Sequence, residues 1–208
     1  MNAQSSRRRA PITYTLRGRL YINLTSRCWL RCRFCPKFDG RWEIDGASLR
    51  LTRREEPSVV EVLAAIDAAG PYREVVFCGF GEPTLRLDAV LVLGRTLKRR
   101  HLQVRLNTDG LANLRHQRDI TPDLAGAIDT VSISLNAQDE RTYVRHCLPP
   151  EPGAYPALLD FAARAVRHVP TVTLSAIEGL DDVDVPACRH IATAIGAGFR
   201  ARLLDRVG

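Results

Sequence analysis

The chain has 208 residues, of which 45% are hydrophobic and 25% charged, which is typical of one globular domain. No apolar run approaches the roughly 20 residues that a membrane helix needs, and Met1–Pro11 lacks the apolar core of an export signal. We therefore expect a cytoplasmic protein with no membrane segment. The formal charge of +7 comes mostly from arginine, which reflects either a GC-rich genome or an anionic partner such as nucleic acid.

The first part of the chain contains a predicted hairpin followed by a long loop. Residues 1–10 are polar and predict a disordered tail, which leaves 11–208 as the one domain. Residues 12–25 alternate around Arg17-Gly18, which predicts two strands joined by a tight turn. The polar segment 36–56 is predicted to be a functional or mobile loop.

From residue 57 onward, predicted helices and strands alternate, which is typical of a parallel sheet with right-handed crossovers. Six strands belong to this repeat, counted from Leu20, whereas a closed eight-stranded barrel typically takes about 250 residues. We therefore predict an α/β fold, an open partial TIM barrel of about six parallel strands with crossover helices, preceded by a short N-terminal hairpin strand. The later strands are predicted at 74–78, 104–107, 130–136, 171–177 and 199–204, and the helices at 57–69, 87–100, 122–127, 154–168 and 184–196.

Three cysteines, Cys28, Cys32 and Cys35, follow the second predicted strand at spacings of four and three. Arg31 and Arg33 lie between them without an acid, and nearby cations favour the thiolate that binds metal. Three thiols on one tight loop suit an iron–sulfur cluster and leave its fourth iron open. The alternatives are structural zinc, which takes four ligands, a disulfide framework, and unrelated core cysteines.

This spacing, with an aromatic residue before the last cysteine, resembles the CxxxCxxC motif of the radical S-adenosylmethionine (radical SAM) superfamily. The resemblance covers nearly the whole chain, because the core of that family is a partial barrel. It implies that the three cysteines hold a [4Fe-4S] cluster whose open iron is chelated by S-adenosylmethionine (SAM). It also implies that one electron from a reductase or flavodoxin cleaves SAM to methionine and a 5′-deoxyadenosyl radical, which takes hydrogen from a substrate.

A second motif, Gly79-Phe80-Gly81-Glu82-Pro83, follows the next predicted strand. It should adjoin the cysteine loop, because the active sites of such barrels lie at the carboxyl ends of the strands, and its glycines let the backbone approach a ligand closely. By resemblance to the Gly-Gly-Glu stretch of the family, Gly79, Gly81 and Glu82 bind the SAM amino group, although the motif here is interrupted by a phenylalanine. The same resemblance assigns contacts with the SAM adenine, ribose and carboxylate to Phe34, Asn107, Ser134 and Asn136.

Several predicted strands carry polar residues on one face and apolar residues on the other, unlike strands that are buried on both faces. Since the apolar face must contact helices, the polar face should line the barrel interior and meet water or polar ligands. Its residues are Asn23, Thr25, Arg105, Asn107, Ser132, Ser134, Asn136, Thr173, Ser175, Arg200 and Arg202. Because arginine suits carboxylate or phosphate, Arg105, Arg200 and Arg202 are candidate contacts to an anionic substrate. An internal ion pair, for example with Glu178, is the alternative.

Four stretches, 21–25, 76–84, 105–111 and 131–136, look like a subgroup of the family, the radical SAM proteins associated with TatD-type metal-dependent hydrolases. The core also resembles 7-carboxy-7-deazaguanine synthase and glycyl-radical activases. We therefore predict a radical SAM enzyme that acts on an unidentified polar or anionic substrate, with no catalytic side chain named. A homodimer or a TatD-type hydrolase is expected to close the open barrel. The alternative is a non-enzymatic iron–sulfur accessory protein associated with nucleic acid or with such a hydrolase.

Three further cysteines lie outside the loop. Cys78 and Cys188 fit small core positions, although Cys78 adjoins the Gly-Glu turn. Cys147 follows His146 and is a candidate to bind a second metal or to quench a radical, and the sequence does not decide its role.

Overall fold

The computed structural model describes residues 9–204, so the predicted disordered tail, 1–10, lies almost wholly outside the described residues. The last two residues of that segment are described. Ala10 is buried, and Arg9 Nη1 donates to Glu61 Oε1 at 2.9 Å. The chain from this point to residue 204 forms an α/β structure.

Nine strands are present between residues 9 and 204: β1 (Thr13–Leu16), β2 (Arg19–Ile22), β3 (Glu43–Ile44), β4 (Ala47–Ser48), β5 (Glu74–Phe77), β6 (Gln103–Thr108), β7 (Thr130–Ser134), β8 (Thr171–Glu178) and β9 (Gly198–Leu203). One sheet has the order β1-β2-β5-β6-β7-β8-β9, and β3 pairs with β4 separately. β1 runs antiparallel to β2, and the six strands from β2 to β9 are parallel. Because β1 and β9 lie at opposite edges, the sheet is open, which confirms the predicted architecture.

Six α-helices connect these strands: α1 (Val59–Ala69), α2 (Leu87–Arg99), α3 (Ala112–His116), α4 (Glu140–Cys147), α5 (Ala154–Ala165) and α6 (Val185–Ile195). Helix α1 begins at a capping box, in which Ser58 Oγ accepts from Glu61 N and Glu61 Oε2 accepts from Ser58 N. It ends at Gly70, whose φ is +93°. Within the described range, no helix is both long enough and apolar enough to span a membrane.

Two helices were not predicted from the sequence, and a third is shorter than predicted. Helix α4 begins because Asp139 Oδ1 accepts from Thr142 N at 2.8 Å, and helix α3 is only five residues long. The helix predicted at 122–127 is instead a 3₁₀ turn, Thr121–Leu124, because proline at its second position allows one tight turn but the backbone becomes extended at Ala125.

The two faces of the sheet differ in polarity, as the alternation of apolar and polar residues along the strands predicts. Apolar side chains facing the helices form the main core, and they are Leu20, Ile22, Val75, Phe77, Val104, Leu106, Val131, Ile133, Val172, Leu174 and Ala176. The alternate positions face the inner side of the curved sheet, where β6 to β9 carry mostly polar residues. The inner face is therefore the polar surface of the molecule from which a site can be built.

The loop 36–56 is fixed to the strands rather than loosely attached. It contains a 3₁₀ turn, Pro36–Asp39, and the small β3–β4 hairpin. Leu49 is fully buried, and its carbonyl accepts from Asn23 Nδ2 at 3.0 Å. Asn23 was predicted to line the interior, but its amide is used to fasten this loop instead.

Candidate active site at the carboxyl edge of the sheet

The cysteine loop, residues 23–35, leaves β2 at the carboxyl edge of the parallel strands. It carries Cys28, Cys32 and Cys35, none of which is in a disulfide and all of which are partly exposed. Cys35 N donates to Cys32 O at 3.0 Å, so the last two cysteines lie on one tight turn. The three predicted ligands are thus brought to the end of the sheet where parallel barrels place their chemistry.

The C-terminal end of α4 supports this loop through its backbone. Arg31 N donates to Cys147 O at 3.1 Å, and Arg33 N donates to His146 O at 2.8 Å. These two bonds flank Cys32 in sequence. The helix that the sequence analysis missed therefore fixes the position of the central cysteine.

The three thiols are harder to ionise than a free cysteine, although we expected Arg31 and Arg33 to favour their thiolates. Arg31 and Arg33 are exposed, and the Arg31 guanidinium lies over the Phe38 ring, 5.8 Å from its centroid. Burial raises the pKa of Cys28, and the nearby acids Asp109 and Glu82 raise it further. The pKa of all three thiols lies above its normal value, so iron must displace their protons on binding.

The arrangement fits a [4Fe-4S] cluster better than a single ion. In the part of the chain that the structure describes, no three Cys, His, Asp or Glu side chains converge on one point, as a zinc ion requires. A cubane instead takes each cysteine on a different iron, so its ligands are spread apart. Cys28 and Cys35 each interact electrostatically with Cys32. Asp109 Oδ2 and Arg202 Nε are buried and have no hydrogen-bond partner among residues 9–204. Both groups interact electrostatically with Cys32, so a polar ligand beside the cluster could pair with them.

The turn Gly79–Glu82 follows β5 and packs directly against the start of the cysteine loop, as predicted. Glu82 N donates to Arg27 O at 2.7 Å. A Cβ atom on Gly81 would lie 2.2 Å from Thr25 O and 2.6 Å from Arg27 O. Gly81 is thus required for the close approach of two backbone segments of the protein itself, whereas the sequence analysis ascribed the glycines to a ligand.

The Glu82 carboxylate is buried and hydrogen-bonded on both oxygens. Oε1 accepts from Thr84 N at 3.0 Å, from Thr84 Oγ1 at 2.7 Å and from Thr108 Oγ1 at 2.9 Å. Oε2 accepts from Asp109 N at 2.7 Å. Burial nevertheless raises the pKa of Glu82, because the surrounding protein is a poorer solvent for the charge than water.

A chain of hydrogen bonds joins the last strand to the cysteine loop. Arg202 Nη2 donates to Asn136 Oδ1 at 2.9 Å, and Asn136 Nδ2 donates to Cys147 Sγ at 3.8 Å. The Cys147 thiol is in hydrogen-bond contact with Cys32, which raises the pKa of Cys32 together with burial. Asn136, which was predicted to contact SAM, is 2% exposed and serves here as the link between two other side chains.

Asn107, Ser134 and Arg200 lie on the same inner face, near the carboxyl ends of their strands. Burial raises the pKa of the Cys78 thiol, while a hydrogen bond with Asn107 and the positive charges of Arg202 and Arg200 act against it. Asn107 Oδ1 is buried without a partner among residues 9–204. Arg200 is exposed, and Ser134 is partly exposed at the end of β7.

Arg105 is occupied by an ion pair. Its Nε donates to Glu74 Oε1 at 2.7 Å, and Glu74 also pairs with Arg19. This contact lies toward the amino ends of the strands, away from the cysteine loop. The structure therefore favours the ion-pair alternative for Arg105, with Glu74 in place of the suggested Glu178.

Thr25 was also predicted to line the barrel interior, but its hydroxyl is hydrogen-bonded to Glu56 instead. Its Oγ1 donates to Glu56 Oε1 at 2.6 Å, and the same carboxylate receives two bonds from Arg27, at 2.7 and 3.0 Å. This contact ties the beginning of the cysteine loop to the end of the 36–56 loop.

Phe34 lines a cavity of about 350 Å³ beside the cysteine loop. The cavity is open on one side, and its rim is rich in charged side chains. The other residues that line it are Arg33, Asp39, Arg41, Arg145, His146, Leu180, Asp181 and Leu204.

The place of two residues in this site was not predicted from the sequence. Asp109 was given no role, and its burial against Glu82 depends on β5 and β6 being neighbours. Cys147 was noted, but its place beside Cys32 depends on α4. An Asp at the helix N-terminus with Thr three residues later is the signal that could have revealed α4.

Curated relatives match most of this chain, while the chain spans less than half of their length. The GTP 3′,8-cyclase of Corynebacterium glutamicum strain R is 26% identical over 187 residues, covering 87% of this chain and 47% of the relative. The dual-specificity RNA methyltransferase RlmN of Geobacter sulfurreducens is 30% identical over 162 residues, covering 71% and 39%. Both relatives are enzymes.

Solved structures share the fold at low sequence identity. SuiB of Streptococcus suis bound to S-adenosylmethionine has a TM-score of 0.66 at 17% identity, covering 96% of this chain and 42% of that chain. The radical S-adenosylmethionine methyltransferase TsrM of Kitasatospora setae, with cobalamin and a [4Fe-4S] cluster bound, has a TM-score of 0.55 at 14% identity, covering 84% and 35%.

The model of the Radical SAM superfamily matches residues 22–190, a range that includes the cysteine loop, the Gly-Glu turn and the strands from β5 to β8. Members of this family use a [4Fe-4S] cluster and SAM, which are the cofactors that the cysteine loop predicts. The chain therefore belongs to the Radical SAM superfamily.

Proposed function

We propose that this protein is a radical SAM enzyme that cleaves SAM with a [4Fe-4S] cluster bound by Cys28, Cys32 and Cys35 and abstracts a hydrogen atom from a substrate. One juxtaposition carries the proposal: Glu82 N donates to Arg27 O at 2.7 Å, which puts the buried Glu82 and its neighbour Asp109 beside Cys28 at the carboxyl edge of an open parallel sheet. When bound, the cluster and SAM supply one-electron chemistry, while the chain orients them.

Within this proposal the side chains have separate tasks. Glu82 accepts a hydrogen bond from the SAM amino group, beside the turn that carries Gly79 and Gly81. Asn107, whose Oδ1 has no partner in the described part of the chain, and Ser134 contact the ribose and carboxylate. The backbone of Phe34 meets the adenine.

We propose that the substrate is anionic, carrying phosphate or carboxylate. Arg202 supports this assignment, because burial lowers the pKa of its guanidinium and its Nε has no acceptor among residues 9–204, so an anion there would stabilise it. The exposed Arg200 lies next to it. The relatives named for GTP and for RNA act on phosphate-bearing molecules.

The proposed electron donor is a one-electron reductase or flavodoxin, because members of the family generally need a reductant. The relatives and structures described above do not include a TatD-type hydrolase, and they do not bear on a homodimer. Both of these partners therefore stay predictions.

Anaerobic reconstitution with iron and sulfide, followed by dithionite and SAM, tests the proposal. We expect 5′-deoxyadenosine and methionine from the wild type and neither product from Cys32→Ala. Cys188→Ala is the matched control, since that buried thiol belongs to the helix-facing core, and it should retain SAM cleavage. A cluster without SAM cleavage would favour the non-enzymatic accessory protein, and zinc in place of iron would contradict the cluster itself.

A further inference from the structure

Asp109 is a buried acid, 7% exposed, that directly follows β6. Its Oδ1 accepts from Leu111 N at 3.0 Å. Its Oδ2 is fully buried and has no hydrogen-bond donor in the described range 9–204. Because a buried carboxylate oxygen without a donor is costly, this atom marks a position where a bound molecule can supply one.

The neighbouring Glu82 has little hydrogen-bonding capacity left. Its Oε1 already accepts three bonds, from Thr84 and Thr108, and Oε2 accepts one from Asp109 N. Each oxygen of a carboxylate has about two acceptor sites. Oε2, which accepts one bond, is therefore the oxygen of Glu82 with room for another donor, and the Asp109 carboxyl group lies in hydrogen-bond contact with Glu82.

The charge of these two acids is not balanced by the protein. Among the described residues, no Lys, Arg or His forms an ion pair with Glu82 or Asp109. Burial raises the pKa of Asp109, and the Glu82 carboxylate raises it further. Two adjacent buried carboxylates do not both ionise readily, so the pair favours either a shared proton or a positively charged ligand.

We propose that Asp109 Oδ2 and Glu82 Oε2 together bind the amino group of SAM, which makes Asp109 a cofactor-binding residue. The inference rests on the proposed function and adds a residue to it. The amino group offers N–H donors to both oxygens, and the positive charge of SAM replaces the shared proton. The hydrogen bond from Glu82 N to Arg27 O, at 2.7 Å, puts this pair beside Cys28 in the cysteine loop.

Asp109→Asn tests the proposal, because it keeps the side-chain size and an oxygen for Leu111 N while it removes the charge. In the reconstituted protein, we expect the dissociation constant for SAM to rise about tenfold or more, measured by anaerobic isothermal titration calorimetry. The melting temperature of the cluster-free chain should hold or rise, because the like-charge contact with Glu82 is lost. A purely structural Asp109 would instead lower it.

Two controls make the result specific. Asp184→Asn changes the N-cap of α6, where Asn serves as well as Asp, and it should leave SAM binding unchanged. A SAM analogue that lacks the amino group should bind the wild type and Asp109→Asn equally. If Asp109→Asn fails to hold the cluster, the affinities for SAM and for the analogue are measured in Asp109→Ser instead. This variant also keeps an acceptor for Leu111 N.

Unchanged SAM affinity in Asp109→Asn would overturn the inference, and so would an equal loss of affinity for the analogue. Failure of the wild type to bind SAM, with its cluster intact, would remove the proposed function and this inference together. Binding of SAM by the wild type, with unchanged affinity in Asp109→Asn, would therefore overturn the inference and leave the proposed function standing.

Discussion

At the amino ends of the parallel strands, Glu74 pairs with Arg105 and Arg19, so that charges on three neighbouring strands neutralise one another. At the carboxyl ends, Glu82 and Asp109 have no cationic partner within residues 9–204. Arg202, on the same inner face as Arg105, donates to the neutral amide of Asn136 and forms no ion pair within the described part of the chain. Within residues 9–204, these charges at the amino end of the sheet are therefore paired with one another, whereas those at the carboxyl end have no counter-ion.

The difference separates charges that stabilise the fold from charges that a bound molecule can balance. An ion pair formed within the chain is complete without a ligand, and its removal should affect stability alone. A buried acid or guanidinium without a counter-ion raises the free energy of the folded state until a ligand neutralises it. We expect substitutions at the two ends of the sheet to divide in this way.

The largest effect is expected from Gly81→Ala, which tests whether the carboxyl end is held together by backbone contact. Its Cβ would lie 2.2 Å from Thr25 O, and a backbone oxygen in a packed turn has little freedom to move. We expect a loss of about 3 kcal/mol or more in the free energy of unfolding, measured by urea denaturation. Gly198→Ala is the control, because its Cβ would meet nothing closer than 3.5 Å. Equal stability of the two variants would contradict the close packing of the turn.

Glu74→Gln tests the amino end. It leaves Arg105 and Arg19 without their shared carboxylate, and because both arginines are partly exposed we expect a modest loss of about 1–2 kcal/mol. The affinity of the reconstituted protein for SAM should not change. If Glu74→Gln weakened SAM binding with its stability intact, the assignment of this end to structure would be wrong.

Glu56 lies near the site but should behave like Glu74, since it is paired with Arg27 and lies 3.8 Å from Arg86 Nε. Burial tends to raise the pKa of Glu56, but hydrogen bonds from Arg27 and Thr25 outweigh it, and the pKa is lowered from 4.5. Its stabilising contribution is therefore present above that value and is lost as the pH falls through the lowered pKa. Glu56→Gln should be less stable than the wild type at pH 7, and the difference in unfolding free energy should shrink in acid. A difference that is constant with pH would count against the ion pair.

The sequence could predict the order of the elements and the edge at which the cysteines and Glu82 meet, because parallel strands bring their carboxyl ends together. It also separated the apolar and polar faces of the sheet. The prediction that Arg31 and Arg33 favour the thiolates did not take account of burial, which raises the pKa of all three thiols. Arg105 was misjudged because the alternation of residues along a strand predicts which face of the sheet a side chain is on. It predicts neither which end of the strand the side chain lies near nor which residue forms an ion pair with it. Asp109 and Cys147 became recognisable only when β5, β6 and α4 were packed together.

The smallest effect is expected at Cys147, the link between Arg202 and the cysteine loop. Arg202 donates to Asn136 and Asn136 donates to Cys147, whose thiol is in hydrogen-bond contact with Cys32. Once iron has displaced the Cys32 proton, the Cys147 thiol is the group of this contact that can still donate. Hydrogen bonds to the sulfurs of a cluster raise its reduction potential. Cys147→Ala should therefore keep the cluster but shift its potential to more negative values, measured by a redox titration followed by electron paramagnetic resonance.

Cys188→Ala is the matched control for this variant, since it removes another buried thiol that lies away from the loop. If both variants keep the wild-type potential, Cys147 acts only through its backbone contact with Arg31. If Cys147→Ala alone shifts it, the Cys147 thiol sets part of the potential through its contact with Cys32. Arg202, which reaches Cys147 through Asn136, would then be connected to the cluster, whereas Arg105 at the other end of the sheet is paired with Glu74.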